Sequence, residues 1–292
     1  MQKRKLSVLI IRVISAAVLL VFVALEMFKV QLVQGETHNL IVNVLVTRTF
    51  AAIFFLTVLI ESKDRVADRR PAQDYLKSLL FVIPALLVAI NNMPMISLIT
   101  GRCRVNETPL WVALFALECI AVGAFEEIAF RGVLFPYFLK KCKTRLHIFL
   151  CIAGTSCLFG LYHLFNLLEG AGFGNVIRQV GYSALIGAMC AICMLITGDI
   201  AVPVVLHAVY NFCGLLIDTV GEGEMWDTPT IVITVVLGVL TFAFYLVVFL
   251  KKKSFRLFEA LKGGEGGKGN GGIDQCDPAQ AETSEPDQCE NS

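Results

Sequence analysis

The sequence predicts an all-α polytopic membrane protein of about eight transmembrane helices, with a polar site buried between spans four, five and seven. Three observations carry this. First, of 292 residues 56% are hydrophobic and only 17% charged, against about 25% charged in ordinary soluble domains; the mean hydropathy is +0.71. Second, the charge is not spread evenly. Long apolar blocks alternate with short charged ones, and a run of roughly 18 or more apolar residues can cross a hydrocarbon core of about 30 Å. Third, the basic residues fall on alternate loops. Only helices fit, because backbone groups in lipid must be satisfied within their own segment and the runs are too long for barrel strands.

In chain order the spans lie at about 7–33, 39–60, 76–100, 110–139, 146–168, 176–197, 200–219 and 229–250. Met1–Lys5 followed by apolar residues resembles a signal peptide at first sight. The apolar stretch runs on from Leu6 to about Val33 with no small-x-small cleavage site, so it reads as a first span that stays in the membrane. The charged stretch Glu61–Asp74 is expected at the membrane surface. Residues 1–250 form one membrane domain, followed over 251–292 by a basic juxtamembrane segment and a tail. From Gly263 that tail turns to Gly, Glu, Asp and Ser and is expected to be disordered.

Orientation follows from the loops. With the N-terminus in the cytoplasm, the cytoplasmic segments hold 15 Lys and Arg (at 3–5, 63–70, 140–145 and 251–256), and the external segments hold Arg102, Arg104 and Arg178. This bias places both termini inside and requires an even number of spans. Trp111 and Trp226 fall at external interfaces, where amphipathic rings are enriched. Net charge is +1, with no basic stripe interleaved with aromatics, which excludes nucleic acid as a partner. The partner is the lipid bilayer. Ten cysteines are present, mostly in or beside apolar runs. The Cys190-x-x-Cys193 pair sits mid-span, where small polarizable packing residues are the expected reading, and no disulfide framework is indicated.

Ionisable side chains inside a span cost a few kcal/mol on insertion scales and mark sites by default. Some have simple explanations. Arg12 snorkels to the cytoplasmic surface, and Glu26 and Lys29 pair at i, i+3. Arg48 has no such explanation. In the fourth span Glu126 and Glu127 are adjacent near the middle of the helix, with Arg131 one turn beyond Glu127 and on its face. Glu126 is rotated about 100° away and left for other work. The fifth span carries Phe159 and His163 with Asn166 one turn on, and the seventh carries His207 with Asn211 one turn on. His147 sits at a cytoplasmic boundary and His38 in an external loop, and both read as structural. A rise of 1.5 Å per residue puts Glu126, His163 and His207 roughly 20, 25 and 10 Å from the cytoplasmic side, compatible with one level once tilt is allowed.

Glu126-Glu127-x-x-x-Arg131, Phe159-x-x-x-His163 and His207-x-x-x-Asn211, in this order and in these spans, resemble the CPBP family of intramembrane proteases, which includes the CAAX prenyl endopeptidases. Gly132 and Thr197-Gly198-Asp199-Ile200 are smaller echoes, and the resemblance covers about residues 70–250. It implies an endopeptidase acting on a membrane-associated protein or peptide substrate. Carried over by position, Glu126 is the general base and His163 helps hold the water. His207 and Asn211 polarise the carbonyl, while Glu127 and Arg131 order the fourth span around the base. Family members have been described as metalloproteases, and zinc would fall to Glu126, His163 and His207. The sequence lacks HExxH, which favours water activation without a metal or other cofactor. An ion-coupled transporter, or a catalytically silent immunity or binding protein on the same fold, are the competing readings. The chain ends Cys289-Glu290-Asn291-Ser292, which has the length of a CAAX terminus but lacks its aliphatic middle.

Overall fold

The computed structural model describes residues 2–27, 31–62, 72–168, 170–223 and 228–263. Most of the charged stretch after Glu61, the tail beyond Gly263, Trp226 and the side chains of Glu26 and Lys29 lie outside the described residues. Within them the fold is all-α apart from one short antiparallel pair of strands distant in sequence. The chain runs α1 (Gln2–Met27), α2 (Glu36–Ser62), α3 (Ala72–Leu79), a 3-10 turn (Leu80–Val82), α4 (Ile83–Asn91), α5 (Met95–Ile99) and β1 (Cys103–Val105). It continues through α6 (Pro109–Glu127), a π-helical segment (Ile128–Leu134), α7 (Phe135–Leu139) and α8 (Arg145–Tyr162). A 3-10 turn (His163–Leu167), α9 (Phe173–Thr197), α10 (Ala201–Val220), β2 (Gly221–Gly223), α11 (Thr228–Lys251) and α12 (Arg256–Gly263) complete it.

Six stretches are long and apolar enough to cross a membrane: Glu36–Glu61, Gln73–Asn91, Arg145–Leu167, Phe173–Thr197, Ala201–Val220 and Thr228–Lys251. The expected count of eight is not confirmed on that measure. The helix from Pro109 to Leu139, which carries Glu118, Glu126, Glu127 and Arg131, is not among them, and in α1 the apolar stretch is the shorter Leu6–Val18. The third span is also shorter than the 76–100 expected. It stops at Asn91 because Pro94 cannot continue a helix, and the chain resumes as the separate α5. Pro84 produces the 3-10 turn before α4, where the Ile83 N–H bonds back to the Leu80 carbonyl. The disturbed backbone is satisfied from α11: Tyr245 donates to the Phe81 carbonyl and Thr241 to that of Pro84.

α6 packs between α2 and α10, α8 lies along α9, α1 lies on α2, and α4 sits between α10 and α11. The close approaches occur at glycines. A Cβ on Gly160 would stand 2.5 Å from the Val180 carbonyl of α9, and one on Gly123 would stand 3.1 Å from backbone atoms of α10. Small residues at the contact are the usual device for bringing helices together in lipid, where there is little hydrophobic gain from association. The apolar outer side chains of α11, Val235, Val239 and Phe242 among them, remain exposed in the manner of a lipid-facing surface.

Contacts at the two ends of the bundle sort the loops as the basic-residue count does. At one end β1 pairs with β2 (Cys103 opposite Gly223), and His38 stacks on Trp111 at 3.7 Å and bonds Glu107. At the other, Tyr75 donates to Asp199, Arg145 donates to the carbonyls of Phe249, Leu250 and Lys252, and Arg12 meets Glu61. The second end is the basic face. Thr144 caps the start of α8 there, its hydroxyl accepting from the backbone N–H of His147. Cys190 and Cys193 are buried free thiols, as are most of the eight described cysteines, and none is in a disulfide.

Two predictions follow from this architecture. Reporter fusions at Glu36 and Lys252 are expected to report opposite sides, with Lys252 cytoplasmic; an extracytoplasmic signal at Lys252 would overturn the orientation. In α8, Gly160→Ala forces a methyl against the α9 backbone and is expected to cost about 1–3 kcal/mol by overpacking. Gly154→Ala, which meets nothing within 4 Å, is expected to leave the thermal midpoint unchanged or raise it slightly, since alanine is the better helix former.

Candidate active site

The site is organised by α6. Glu126 and Glu127 are its last two residues, and Arg131 follows inside the π-helical segment. That segment is closed by the Phe135 N–H reaching back five residues to the Phe130 carbonyl. A widened turn here accommodates Pro136, which cannot donate to the Gly132 carbonyl and sits instead in the first turn of α7. Single π-helical turns inside α-helices recur at functional sites. Nothing in the sequence pattern distinguished this turn from α-helix.

Glu127 is fully buried, and Glu126, Arg131 and His207 are each at most 5% exposed. Arg131 Nη1 donates to Glu127 Oε1 at 3.0 Å. The same oxygen stands 2.7 Å from His207 Nδ1. A carboxylate paired with arginine accepts only, so Nδ1 carries the proton and donates it. His207 Nε2 is thereby turned towards Glu126 Oε2, 3.5 Å away. That distance is long for a hydrogen bond and leaves Glu126 uncommitted. Sequence reasoning paired Glu127 with Arg131 alone. Its second partner lies 80 residues away in the chain and could not be read from helical spacing.

The phenylalanine of the second motif has a structural task. The Arg131 guanidinium lies 4.3 Å from the Phe159 ring centroid, and the edges of His163 and His207 meet the same ring, with centroids 5.3 and 5.8 Å away. Gly187 of α9 leaves room for this stack. A Cβ there would come 2.5 Å from Arg131 Nη2 and 3.0 Å from Phe159.

Glu126, His163, His207 and Asn211 line one cavity of about 590 Å³, together with Arg48, Glu118, Tyr162, Tyr182 and Tyr210. The structure thus brings all four expected catalytic residues to one space, with Glu127 and Arg131 supporting it from behind. Asn166, noted one turn beyond His163, also lines the cavity and bonds Gln179. Arg48 and Glu118 are site residues that the motifs did not find, although each announced itself as a charge within a span. Among the described residues, no group of three or more His, Cys, Asp or Glu is arranged to hold a metal ion. Glu126, His163 and His207 are not among such groups as placed.

The cavity is one-sided. Its lining comes from the halves of α2, α6, α8, α9 and α10 that point away from the basic face, and Phe165, Leu215 and Asp218 form its exposed rim. On the basic side the site is closed by an apolar cluster that includes Phe135, Ile148, Met194 and Leu195. Phe255 and Leu257, beside and within α12, are packed into it.

Residues 108–213 match the family described as type II CAAX prenyl endopeptidase Rce1-like. The match is narrower than the stretch over which the sequence resembles that family, and it begins one residue before α6 and ends within α10. No curated protein and no solved structure matches the chain. All three motifs lie inside the matched segment, on the helices that meet at the cavity, and the match supports membership of the CPBP family of intramembrane proteases.

Proposed function

We propose that the chain is an intramembrane endopeptidase hydrolysing peptide bonds of a membrane-associated protein or peptide, placed in the cell membrane with both termini cytoplasmic. The observation that carries the reading is the arrangement of His207. It is fixed through Nδ1 by the ion-paired Glu127 and presents Nε2 to Glu126 at the closed end of a cavity shared with His163 and Asn211.

Amide hydrolysis needs a base to take a proton from water, a donor for the leaving amine and stabilisation of the oxyanion between them. Glu126 is the base. It is the carboxylate with no arginine partner, and it faces the cavity. The water, held between Glu126 and His163, gives its proton to Glu126 as its oxygen bonds to the carbonyl carbon. Asn211, and His207 through a proton on Nε2, stabilise the oxygen of the tetrahedral intermediate. Its collapse breaks the C–N bond, and Glu126 returns the proton to the departing nitrogen, giving a carboxylic acid and an amine. Glu127 and Arg131 are positioning residues acting through His207. The cycle uses no metal.

Glu126→Gln is expected to lower turnover by roughly 10²–10⁴-fold, the usual worth of general-base catalysis, with the protein folded. Glu127→Gln is expected to lose about 3–5 kcal/mol of stability by leaving Arg131 unpaired, and activity per folded molecule should also fall because His207 loses its fixed orientation. Membrane proteomics with wild type and Glu126→Gln, followed by turnover of a cleaved peptide, checks both; a folded, active Glu126→Gln would remove Glu126 from the base role. Purified active protein is also expected to hold well under one equivalent of zinc and to survive strong chelators. Stoichiometric zinc lost on His163→Ala or His207→Ala would overturn the metal-free cycle.

A further inference from the structure

Arg48 is a cation that the fold of the bundle does not use. It lies twelve residues into α2 from Glu36 and thirteen before Glu61, too deep for a side chain to reach either surface. Such a charge is costly in a membrane unless something shares its burial. The other arginines within the bundle have partners: Arg131 has Glu127, and Arg12 has Glu61 and Thr57. Among the described residues Arg48 makes no ion pair and no hydrogen bond. Its guanidinium rests 5.4 Å from the centre of the Phe125 ring, on the wall of the cavity that holds Glu126 and His163.

Glu118 lines the same cavity, yet among the described residues no ion pair forms between them, and Glu118 Oε2 is buried without a hydrogen-bond partner. The cavity wall therefore offers, next to the base, a planar cation able to take a carboxylate by two parallel bonds and a carboxylate oxygen in want of an N–H. One ligand satisfies both: a peptide bearing a carboxylate, with a backbone amide beside it. We propose that Arg48 anchors a carboxylate of the substrate in the cavity, with Glu118 accepting from the adjoining backbone. This rests on the reading of the site as a peptidase. Eight residues of α6 separate Glu118 from Glu126, a rise of about 12 Å. Extended peptide covers that in about four residues at roughly 3.3 Å each, so the anchored carboxylate belongs within about four residues of the scissile bond. It is either the chain end or an acidic side chain.

The test uses the purified full-length protein and three pools of random octapeptides lacking Asp and Glu. One pool ends in a free carboxylate, one in an amide, and one in an amide with a single glutamate added. Cleavage is read by mass spectrometry on wild type, and binding by thermal stabilisation of Glu126→Gln. The expected result is a preference of at least about tenfold for a carboxylate-bearing pool over the plain amide pool, the size of one charge-assisted hydrogen bond. Arg48→Gln should remove the preference and Arg48→Lys should keep part of it. The pool preferred, acid or glutamate, identifies the source of the carboxylate. Pools that are indistinguishable on wild type, whether all bind or none does, overturn the proposal. So does a preference that survives Arg48→Gln, or an Arg48→Gln that impairs all pools equally. Binding preference without cleavage would instead sink the peptidase reading and leave the anchor standing.

Discussion

A carboxylate in the interior of a helical bundle is held there only by cations or donors that share its burial, and Glu127 has two. Arg131 reaches it from the next turn of its own chain segment and His207 from α10, both on the same oxygen. Breaking such a buried cluster on one side costs about 3–5 kcal/mol, comparable with much of the net stability of a domain. Much of the surrounding structure is explained by the need to house it. The guanidinium requires a ring to lie against, which Phe159 supplies, and space that Gly187 leaves open. The imidazole requires α10 to lie close to α6, which Gly123 permits.

The cluster also determines what remains free. Because the paired carboxylate takes Nδ1 of His207, the other nitrogen must point at the second carboxylate, which has no arginine of its own. Adjacent residues on a helix face about 100° apart, and here they face two sides of one imidazole. Two glutamates next to each other in the chain thus have different environments, one held through Oε1 by Arg131 and His207 and one facing a cavity.

The bundle is asymmetric along its length. On the basic face, apolar side chains from six helices and α12 fill the space beneath the site. On the opposite face the helices surround a cavity lined by polar and aromatic side chains, and the short β1–β2 strand pair ties the loops at that end. α6 carries Glu118, Glu126 and Glu127 within its length, and α2 and α10 pack against it.

By itself the sequence determined what is local. Apolar runs mark the spans because insertion into lipid depends on the composition of each stretch; the Glu127–Arg131 pair is fixed by one turn of helix; and the basic loops sort into two sets. Motif resemblance named His163, His207 and Asn211, but not what any of them touches. Only the tertiary structure decided that His207 is shared between two carboxylates, that Arg48 of α2 faces the same cavity, that the turn at Ile128–Leu134 is π-helical, and that the third span ends at Asn91. Helical periodicity says which residues share a face. It does not say how far each helix is rotated about its axis or which helix that face meets. Those are set by backbone contacts at Gly123, Gly160 and Gly187, between residues far apart in the chain.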